Sequence, residues 1–333
     1  MNKDTIRICY LSSGKHPTGG FYYEEFFTKE LKKWHSENGL LASSKSKRLW
    51  RFFHGWQNIA LIYWAFKQAR VEVNIVTGRL ALSSIFRNIF AKRITLVILH
   101  NYDERYFPSN FLKTYFRFFF VFVKLFKVKR LAIVTGAPFW VDYFQTRINH
   151  SIPVYFFPNL FDVEFYKTFV IPKAAKRICL GQFSNKNDPA IFTLAAMLTQ
   201  QGYECYFATL NPSETSQMEN FNVICEPSNL YLKRLSSCLY SVAFTQINEG
   251  WNRMAHESIL LNTPVIGFAK AGLGDLISES NSYAVTNVDE AFEIIISNKT
   301  KQLNQEFALH YDKSKASHFI DPIGKYVKNQ LGK

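Results

Sequence analysis

The sequence lacks several features that identify common protein classes directly. Its five cysteines form no C-x-x-C pair and no zinc-ligand spacing, so we expect reduced thiols in a cytosolic protein. It contains no P-loop and no RNP-type aromatic motif. It also has no run of about 18 uncharged apolar residues, and no early apolar segment of signal-peptide length. We therefore expect neither a membrane-spanning helix nor a secreted protein.

Acidic residues are scarce relative to basic ones. The 333 residues carry 40 Lys and Arg against 26 Asp and Glu, which gives a formal net charge of +14. Such a charge indicates an anionic partner: nucleic acid, an acidic membrane surface or a phosphorylated small molecule. Because no nucleic-acid motif accompanies the charge, we do not expect nucleic acid as the partner. A hydrophobic content of 47% is typical of a folded chain with one large or two medium domains.

One stretch in the second half alternates strand and helix patterns. An apolar run at 241–247 predicts a strand, a polar turn follows, and 252–261 has helical composition. The chain then predicts a strand at 265–269, a glycine-containing turn at 270–274, and a second helix beginning at Asp275. This alternation is the repeating unit of a parallel sheet.

The turn before the first of these helices is a predicted anion site. The first amides of a helix have no internal partner, and the helix dipole is positive there. Asn252 is a predicted N-cap, and Gly250 allows a ligand to approach the backbone closely. If all eight positions from Glu249 to Glu257 were helical, they would span about 12 Å along the axis at 1.5 Å per residue. That span suits a ligand with a hydroxyl-rich group at each end and phosphates between them.

These residues resemble a known motif. Glu249 and Glu257 form an E-x7-E pattern similar to that of retaining GT-B glycosyltransferases of the GT4 type, and P-V-I-G-F-A-K-A-G-L-G-D-L resembles the segment that follows it. The resemblance implies two doubly wound, Rossmann-like α/β domains facing across a cleft, and a UDP- or GDP-sugar donor. It implies that Glu249 is catalytic and meets the sugar and diphosphate with Gly250, Trp251, Asn252 and Arg253, while Glu257 holds the ribose. The alternative is a capped helix with a solvated Glu257.

The first half carries weaker signals of the same kind. A strand at 5–11 is followed by a loop ending in Gly19 and Gly20, then by a helix at 21–34. The resemblance implies that these glycines approach the donor diphosphate, although glycine-rich turns follow first strands in many α/β folds. His100 follows a strand at 94–99, and the resemblance implies a catalytic position facing the anomeric carbon. A single histidine with a structural role is the alternative.

The domain junction is predicted at the segment 158–162, which resembles P-N-G-V-D with Leu160 in place of glycine. We expect an acceptor-binding domain at 1–165, a donor-binding domain at 166–312, and a final helix at 313–333 that returns to the first domain. In the second domain Gln182 replaces an arginine usual in the family, and Lys186 is the candidate phosphate cation. Arg253 could supply the missing charge. We see no D-x-D motif, so we expect no metal and no cofactor besides the donor.

Two segments combine basic and apolar residues. In the first, 36–54 and its flank, cations alternate with large aromatics; in the second, 107–130, four basic residues form one stripe on an otherwise apolar helix. Both suit the headgroup region of an anionic membrane. The alternatives are a mobile loop for the first and a buried helix with snorkelling basic tips for the second. The residues concerned are Lys45, Lys47, Arg48, Arg51, Trp50, Phe52, Phe53, Trp56, Lys113, Arg117, Lys124 and Lys127.

Together these features predict a metal-independent, retaining glycosyltransferase that is cytoplasmic and peripheral on the inner face of the plasma membrane. Its expected acceptor is a glycan, in particular a lipid-linked precursor of a bacterial surface polysaccharide such as capsule, exopolysaccharide or O-antigen. Two alternatives stay open. The departure at Gln182 favours a non-catalytic, membrane-associated subunit with the GT-B fold. The net charge favours, less strongly, a basic nucleic-acid-binding protein.

Overall fold

The structure is a computed structural model that describes residues 5–12, 19–48, 73–82, 93–100, 102–104, 110–126 and 128–332. The chain divides into two compact units. Unit 1 consists of Met1–Asn159 and Lys315–Lys333, and unit 2 consists of Leu160–Ser314.

Unit 1 is built on a parallel sheet whose strands lie in the order β2-β1-β3-β4-β5-β6. Strands β3, β4 and β5 are buried along their whole length, because the helices cover both faces of a parallel sheet. Their uninterrupted apolar sequences follow from this burial. The elements are β1 (Thr5–Ser12), α1 (Gly19–Glu37), β2 (Leu41–Arg48), β3 (Val73–Thr77), β4 (Ile94–Ile98), α2 (Asn110–Phe126), β5 (Leu131–Thr135), α3 (Pro138–Ile148) and β6 (Val154–Phe156).

The segment predicted as a mobile loop or headgroup-binding stretch contains a strand. Residues Leu41–Arg48 form β2, which pairs in parallel with β1 along eight residue pairs. The polar sequence L-A-S-S-K-S-K-R concealed this strand, because at the edge of a sheet backbone pairing alone can hold a polar segment. Arg51 and the aromatics Trp50, Phe52, Phe53 and Trp56 lie outside the described residues, as does most of the loop before Gly19.

Unit 2 has a second sheet with strand order β13-β12-β11-β7-β8-β10-β9, parallel except for the pairing of β9 with β10. Several elements here were not predicted, among them β13 and the helix that follows it. The elements are α4 (Val163–Lys167), β7 (Arg177–Gln182), α5 (Ala190–Gln200), β8 (Glu204–Ala208), β9 (Ser216–Gln217), β10 (Asn222–Ile224), α6 (Ser228–Ser237), β11 (Tyr240–Ala243), α7 (Arg253–Leu260), β12 (Val265–Phe268), α8 (Ala271–Glu279), β13 (Tyr283–Val285), α9 (Val288–Ile296) and α10 (Gln305–His310).

The parallel strands of unit 2 have the order of a dinucleotide-binding sheet. Counted from β7, they run 3-2-1-4-5-6, so the direction of winding reverses between β7 and β11. Near the end of β7, Gly181 has a φ of +92°, and a Cβ there would lie 3.1 Å from the Val242 carbonyl oxygen of β11. Glycine is therefore required at this position, where β7 leaves regular register and turns into its loop. Ligands of such sheets bind at the reversal point.

The junction between the units lies slightly earlier than predicted. Phe161, Val163 and Tyr166 pack in a hydrophobic cluster with Cys179 and Tyr206 of unit 2. The division therefore falls between residues 159 and 160 rather than after 165, because this apolar stretch is part of the second core.

The last helix, α11 (Ala316–Leu331), belongs to unit 1 and packs against α1. Trp34 of α1 donates its indole N–H to Asp321 at 3.1 Å. The helix continues through Pro322, a residue that usually breaks or kinks a helix. Proline removes one backbone hydrogen bond, and the burial of Phe319, Ile323 and other residues on the same face stabilises the continuous helix.

We predict that Gly324→Ala destabilises unit 1. A Cβ at Gly324 would lie 2.3 Å from the Trp34 ring, so the two helices would have to separate. Overpacking of this kind typically costs about 1–3 kcal/mol, which exceeds the gain of about 1 kcal/mol in helix propensity. Urea denaturation measures the difference. The control is Gly332→Ala on the same segment, where the nearest atom to a Cβ is 3.9 Å away; equal stability of both variants would contradict the packing described.

Candidate functional site

The loops that follow β7 and β11 are held together by their backbones at the reversal point of the sheet. The amide of Gln246 donates to the Lys186 carbonyl at 3.0 Å, and the Gln246 side chain donates to the Asn187 carbonyl at 2.9 Å. Asn187 also forms an isolated antiparallel bridge with Thr245. These contacts place Lys186 and Glu249, which are 63 positions apart in the sequence (249 − 186), in one neighbourhood.

The two charged candidates influence each other electrostatically. Burial raises the pKa of the Glu249 carboxyl above its ordinary value, and the nearby charge of Lys186 opposes part of that rise. Lys186 is itself exposed, so its ammonium group is accessible from solvent. The Glu249 carbonyl accepts a hydrogen bond of 3.1 Å from the Gly272 amide, which connects this loop to the beginning of α8. The structure thus brings together a cation, a partly buried acid and two helix starts.

The predicted N-cap is confirmed. The Asn252 side chain accepts a hydrogen bond of 2.9 Å from the Ala255 amide at the start of α7. The prediction for the following helix was wrong, since α8 begins at Ala271 and not at Asp275. Gly272 and Gly274 were interpreted as turn residues, but they lie in the first turns of the helix. Gly250 is buried in the turn between Glu249 and Asn252.

Glu257 is buried and already has three hydrogen-bond donors. Tyr166 donates to Oε1 at 3.0 Å, Arg253 Nε donates to the same oxygen at 3.0 Å, and Tyr231 donates to Oε2 at 3.1 Å. The alternative of a solvated Glu257 is therefore wrong, because the side chain is buried among these partners. A carboxylate offers roughly four accepting positions, so about one remains, on Oε2. The role of Glu257 in holding ribose hydroxyls stays a prediction, and only the remaining accepting position on Oε2 could serve it.

Arg253 has a different partner from the predicted one. Its Nε lies on Glu257, four residues along the same helix, and its guanidinium carbon lies 5.4 Å from the centre of the Phe161 ring. Sequence reasoning expected this cation to face a diphosphate, and that role stays a prediction. Tyr166 and Tyr231 had no signal in the sequence, because their contacts with Glu257 come from α4 and α6.

Trp251 does not present its ring to a ligand. The indole is buried, stacks on Phe307 at 6.2 Å between centroids, and donates its N–H to His256 Nδ1 at 2.9 Å. Only the backbone of Trp251 therefore remains a candidate for binding. His256 is fully buried, and among the described residues its Nε2 has no hydrogen-bond partner. Burial, followed by the charge of Arg253, lowers the pKa of His256 to about 3, so the imidazole is neutral at pH 7.

In unit 1, Gly19 and Gly20 are the first two residues of α1. His100 lies just beyond the end of β4, where its Nε2 lies 3.2 Å from the Glu24 carboxylate. Glu24 lies on α1 and is buried, although an acidic residue usually lies on the exposed side of a helix. The pairing of His100 with Glu24 was missed by sequence reasoning.

No group of three or more His, Cys, Asp or Glu side chains is arranged to hold a metal ion in the part of the chain that the structure describes. In that same part, no helix combines the length and hydropathy required to span a bilayer.

Comparison with solved structures identifies the fold. The sucrose-phosphate synthase of Thermosynechococcus elongatus is 12% identical with a TM-score of 0.66, and 97% of this chain aligns with 98% of that one. Anabaena HepE in complex with UDP-glucose is 12% identical with a TM-score of 0.62, over 98% and 99% of the two chains. WaaG, a glycosyltransferase involved in lipopolysaccharide biosynthesis, is 11% identical with a TM-score of 0.58, over 98% of each chain.

These similarities confirm the predicted fold class. The chain has the GT-B fold, with a Rossmann-like α/β domain in each unit, and its structural neighbours include glycosyltransferases. At 11–12% identity the likeness concerns the fold alone. No model of a protein family and no curated protein sequence matches the chain.

We predict that His256 makes stability fall in acid. Its pKa is about 3 in the folded protein and 6.5 when exposed, so the unfolded chain binds the extra proton between these values. Stability therefore decreases as the pH falls from about 6.5 towards 3. His256→Asn keeps an acceptor near Nδ1 but does not titrate. Its free energy of unfolding should fall less steeply over this window than that of the parent protein.

His35 contributes to the pH dependence in the same direction, because burial and the charge of Lys328 lower its pKa to about 4. The stability of His256→Asn is therefore compared with that of the parent protein, which shares this contribution. His318→Asn, at an exposed position, serves as the control. If the pH dependence of His256→Asn matched that of His318→Asn, the buried, neutral state of His256 would be contradicted.

Proposed function

We propose that the protein transfers a sugar from a nucleoside diphosphate sugar to an acceptor hydroxyl, as a retaining glycosyltransferase of the GT4 type. The observation that carries this proposal is the meeting of Lys186 and Glu249 at the reversal point of the second sheet, beside the capped start of α7. A cation beside the N-terminus of a helix suits a diphosphate, and an acid residue next to them suits sugar hydroxyls.

The donor would lie along the turn at 249–252. Its diphosphate would accept hydrogen bonds from the first amides of α7 and meet the ammonium group of Lys186. Glu249, whose pKa is raised by burial, would hydrogen-bond the sugar. The remaining accepting position on Glu257 would take one ribose hydroxyl. Solved structures of HepE contain UDP and UDP-glucose, which supports testing a UDP-sugar first.

The reaction breaks the bond between the anomeric carbon and the diphosphate oxygen, which leaves with the electron pair. The acceptor oxygen forms the new bond on the same face, so the configuration is retained, and its proton is released. Positioning and electrostatic stabilisation of the leaving group supply the catalysis. We propose that Lys186 and the helix amides neutralise the developing charge without a metal ion. Gln182, in place of an arginine, leaves Lys186 as the principal cation of the loop after β7.

For the acceptor we propose a lipid-linked glycan precursor at an anionic membrane, because α2 exposes a wide apolar face. Phe111, Val121 and Leu125 are 63%, 53% and 68% exposed, and Phe118 and Phe126 also face solvent. At about 100° per residue, this face covers about 140° of the helix. Single exposed apolar residues are ordinary on protein surfaces, whereas a continuous face of five indicates a docking surface.

Basic residues border this apolar face. Lys113, Arg117 and Lys124 form one stripe along α2, and Lys124 is exposed. On a helical wheel at about 100° per residue, this stripe begins about 40° away from the edge of the apolar face. Arg117 is paired with Glu104, so part of its charge is offset. Apolar side chains flanked by cations fit the boundary between acyl chains and anionic headgroups. We therefore propose a peripheral location on the inner face of a bacterial plasma membrane, in the synthesis of surface polysaccharide.

We predict that Asn252→Ala removes the response to the donor. A ligand at a hundred times its Kd stabilises a protein by about 2.7 kcal/mol, so UDP-glucose or GDP-mannose should raise the melting temperature of the parent protein. Loss of an N-cap costs about 1 kcal/mol and loosens the amides that would bind phosphate. Asn287→Ala is the matched control, because Asn287 caps α9 through the same contact at the same distance, 2.9 Å.

Both variants should lose similar stability, and only Asn252→Ala should lose the shift. A shift retained in Asn252→Ala would remove α7 from the site. Release of UDP by the parent protein, abolished in Glu249→Ala, would decide against the non-catalytic alternative. Steeply salt-dependent binding of DNA or RNA without any response to sugar nucleotides would instead favour the nucleic-acid-binding alternative.

We predict that Leu125→Glu weakens binding to vesicles containing phosphatidylglycerol. The substitution places a negative charge in the centre of the exposed face of α2, where it would be repelled by anionic headgroups and removed from water. Vesicle sedimentation measures the bound fraction, and phosphatidylcholine vesicles test the need for negative charge. Leu309→Glu, at an exposed position of unit 2, is the control. Equal sedimentation of the two variants would exclude α2 as the contact surface.

A further inference from the structure

The turn at 249–252 belongs to no helix or strand of unit 2, so the contacts of its own residues determine its shape. At one end, the Glu249 carbonyl accepts a hydrogen bond from the Gly272 amide of α8. At the other end, the Asn252 side chain caps α7. Between them, Trp251 is only 7% exposed, so the middle of the turn is held from inside unit 2 by a large buried ring.

Trp251 packs in an aromatic cluster that joins three separate segments of unit 2. Its ring stacks on Phe307 with an interplanar angle of 6° and lies 5.1 Å from the centre of the Tyr311 ring. His256 lies 4.8 Å from Phe307 and 4.3 Å from Phe161, again between ring centroids. Trp251 therefore cannot move without repacking α10 and the first residues of unit 2.

One hydrogen bond fixes the orientation of the indole within this cluster. An indole N–H can only donate, and that of Trp251 donates to Nδ1 of His256 at 2.9 Å. His256 is 0% exposed, so water does not replace it as the acceptor while the cluster stays packed. A buried N–H without a partner is strongly unfavourable. The bond thus connects the turn to α7, the helix whose first amides are proposed to hold the diphosphate.

We propose that Trp251 and His256 are positioning residues of the donor site. This inference rests on the proposed function and concerns unit 2 alone. Neither ring contacts the donor; their hydrogen bond sets the position of the Trp251 backbone, and with it that of Glu249 and Gly250, relative to the start of α7. Without an acceptor the indole would turn towards water and carry the backbone with it. A shift of about 1 Å is enough to impair a site of this kind.

Two substitutions of His256 separate the hydrogen bond from the packing. His256→Leu removes the acceptor, whereas His256→Asn keeps one, because its side-chain oxygen is as many bonds from Cβ as Nδ1 is. Calorimetric titration with UDP and with GDP measures Kd. For the nucleotide that the parent protein binds, we expect Kd to rise about fivefold or more in His256→Leu and to stay near the parent value in His256→Asn.

His35→Leu is the matched control, because His35 is also 0% exposed and its ring nitrogens have no hydrogen-bond partner among the described residues. It should leave Kd unchanged. Trp251→Phe removes the donor of the bond, so adding His256→Leu to it should raise Kd little further. A purely structural pair would lower stability in urea but leave the Kd of the folded protein unaltered in His256→Leu, and that result would overturn the proposal.

Hydrogen exchange tests the bond without any nucleotide. In protein labelled with ¹⁵N-tryptophan, the Trp251 indole signal is the one lost in Trp251→Phe. We expect slow exchange of this proton in the parent protein and in His256→Asn, and faster exchange in His256→Leu. Fast exchange in the parent protein would contradict the proposal. If the parent protein bound neither UDP nor GDP, the proposed function would fail and this inference with it; binding with equal Kd in His256→Leu would reject the positioning role alone.

Discussion

The pairing of β7 with β11 is the constraint on which the organisation of unit 2 depends. The strands that follow β7 are added on one side of this pair, and those that follow β11 are added on the other. The loops after β7 and β11 therefore lead to opposite sides, which leaves room for a ligand between them. The hydrogen bond from the Gln246 amide to the Lys186 carbonyl connects these two segments near the sheet. Lys186 and Glu249 lie near each other because they follow neighbouring strands of the sheet. No local sequence pattern indicates that they are close.

Much of this order was predictable from local pattern. The strands Ile94–Ile98 and Val265–Phe268 lie within the predicted apolar runs 94–99 and 265–269, and Asn252 caps its helix as its residue type predicts. The start of α8 was not predictable in this way. Glycines favour turns, but Gly272 lies in a helix whose first turn is held by the Glu249 carbonyl. β2 was missed for a related reason, since its polar residues are ordered by backbone pairing with β1.

The environment of individual side chains was the least predictable feature. The pattern of α1 places Glu24 on a polar side, yet its partners Tyr10 and His100 are 14 and 76 residues away. The E-x7-E spacing draws attention to Glu257. Two of the hydrogen-bond donors to its carboxylate, Tyr166 and Tyr231, are 91 and 26 residues away in the sequence. In both cases an acid is buried because distant donors compensate its charge, and only the fold brings those donors near.

The return of α11 to unit 1 bears on the sequence of events during synthesis. Unit 1 is made of two separated stretches, whereas unit 2 is a single continuous one, Leu160–Ser314. Domains usually form as they leave the ribosome, beginning with the earliest. Here the Trp34 surface of α1 has no α11 to cover it until the terminal residues have been made. Unit 1 can therefore complete its packing only after residues 316–331 have been made, which is later than the last residue of unit 2.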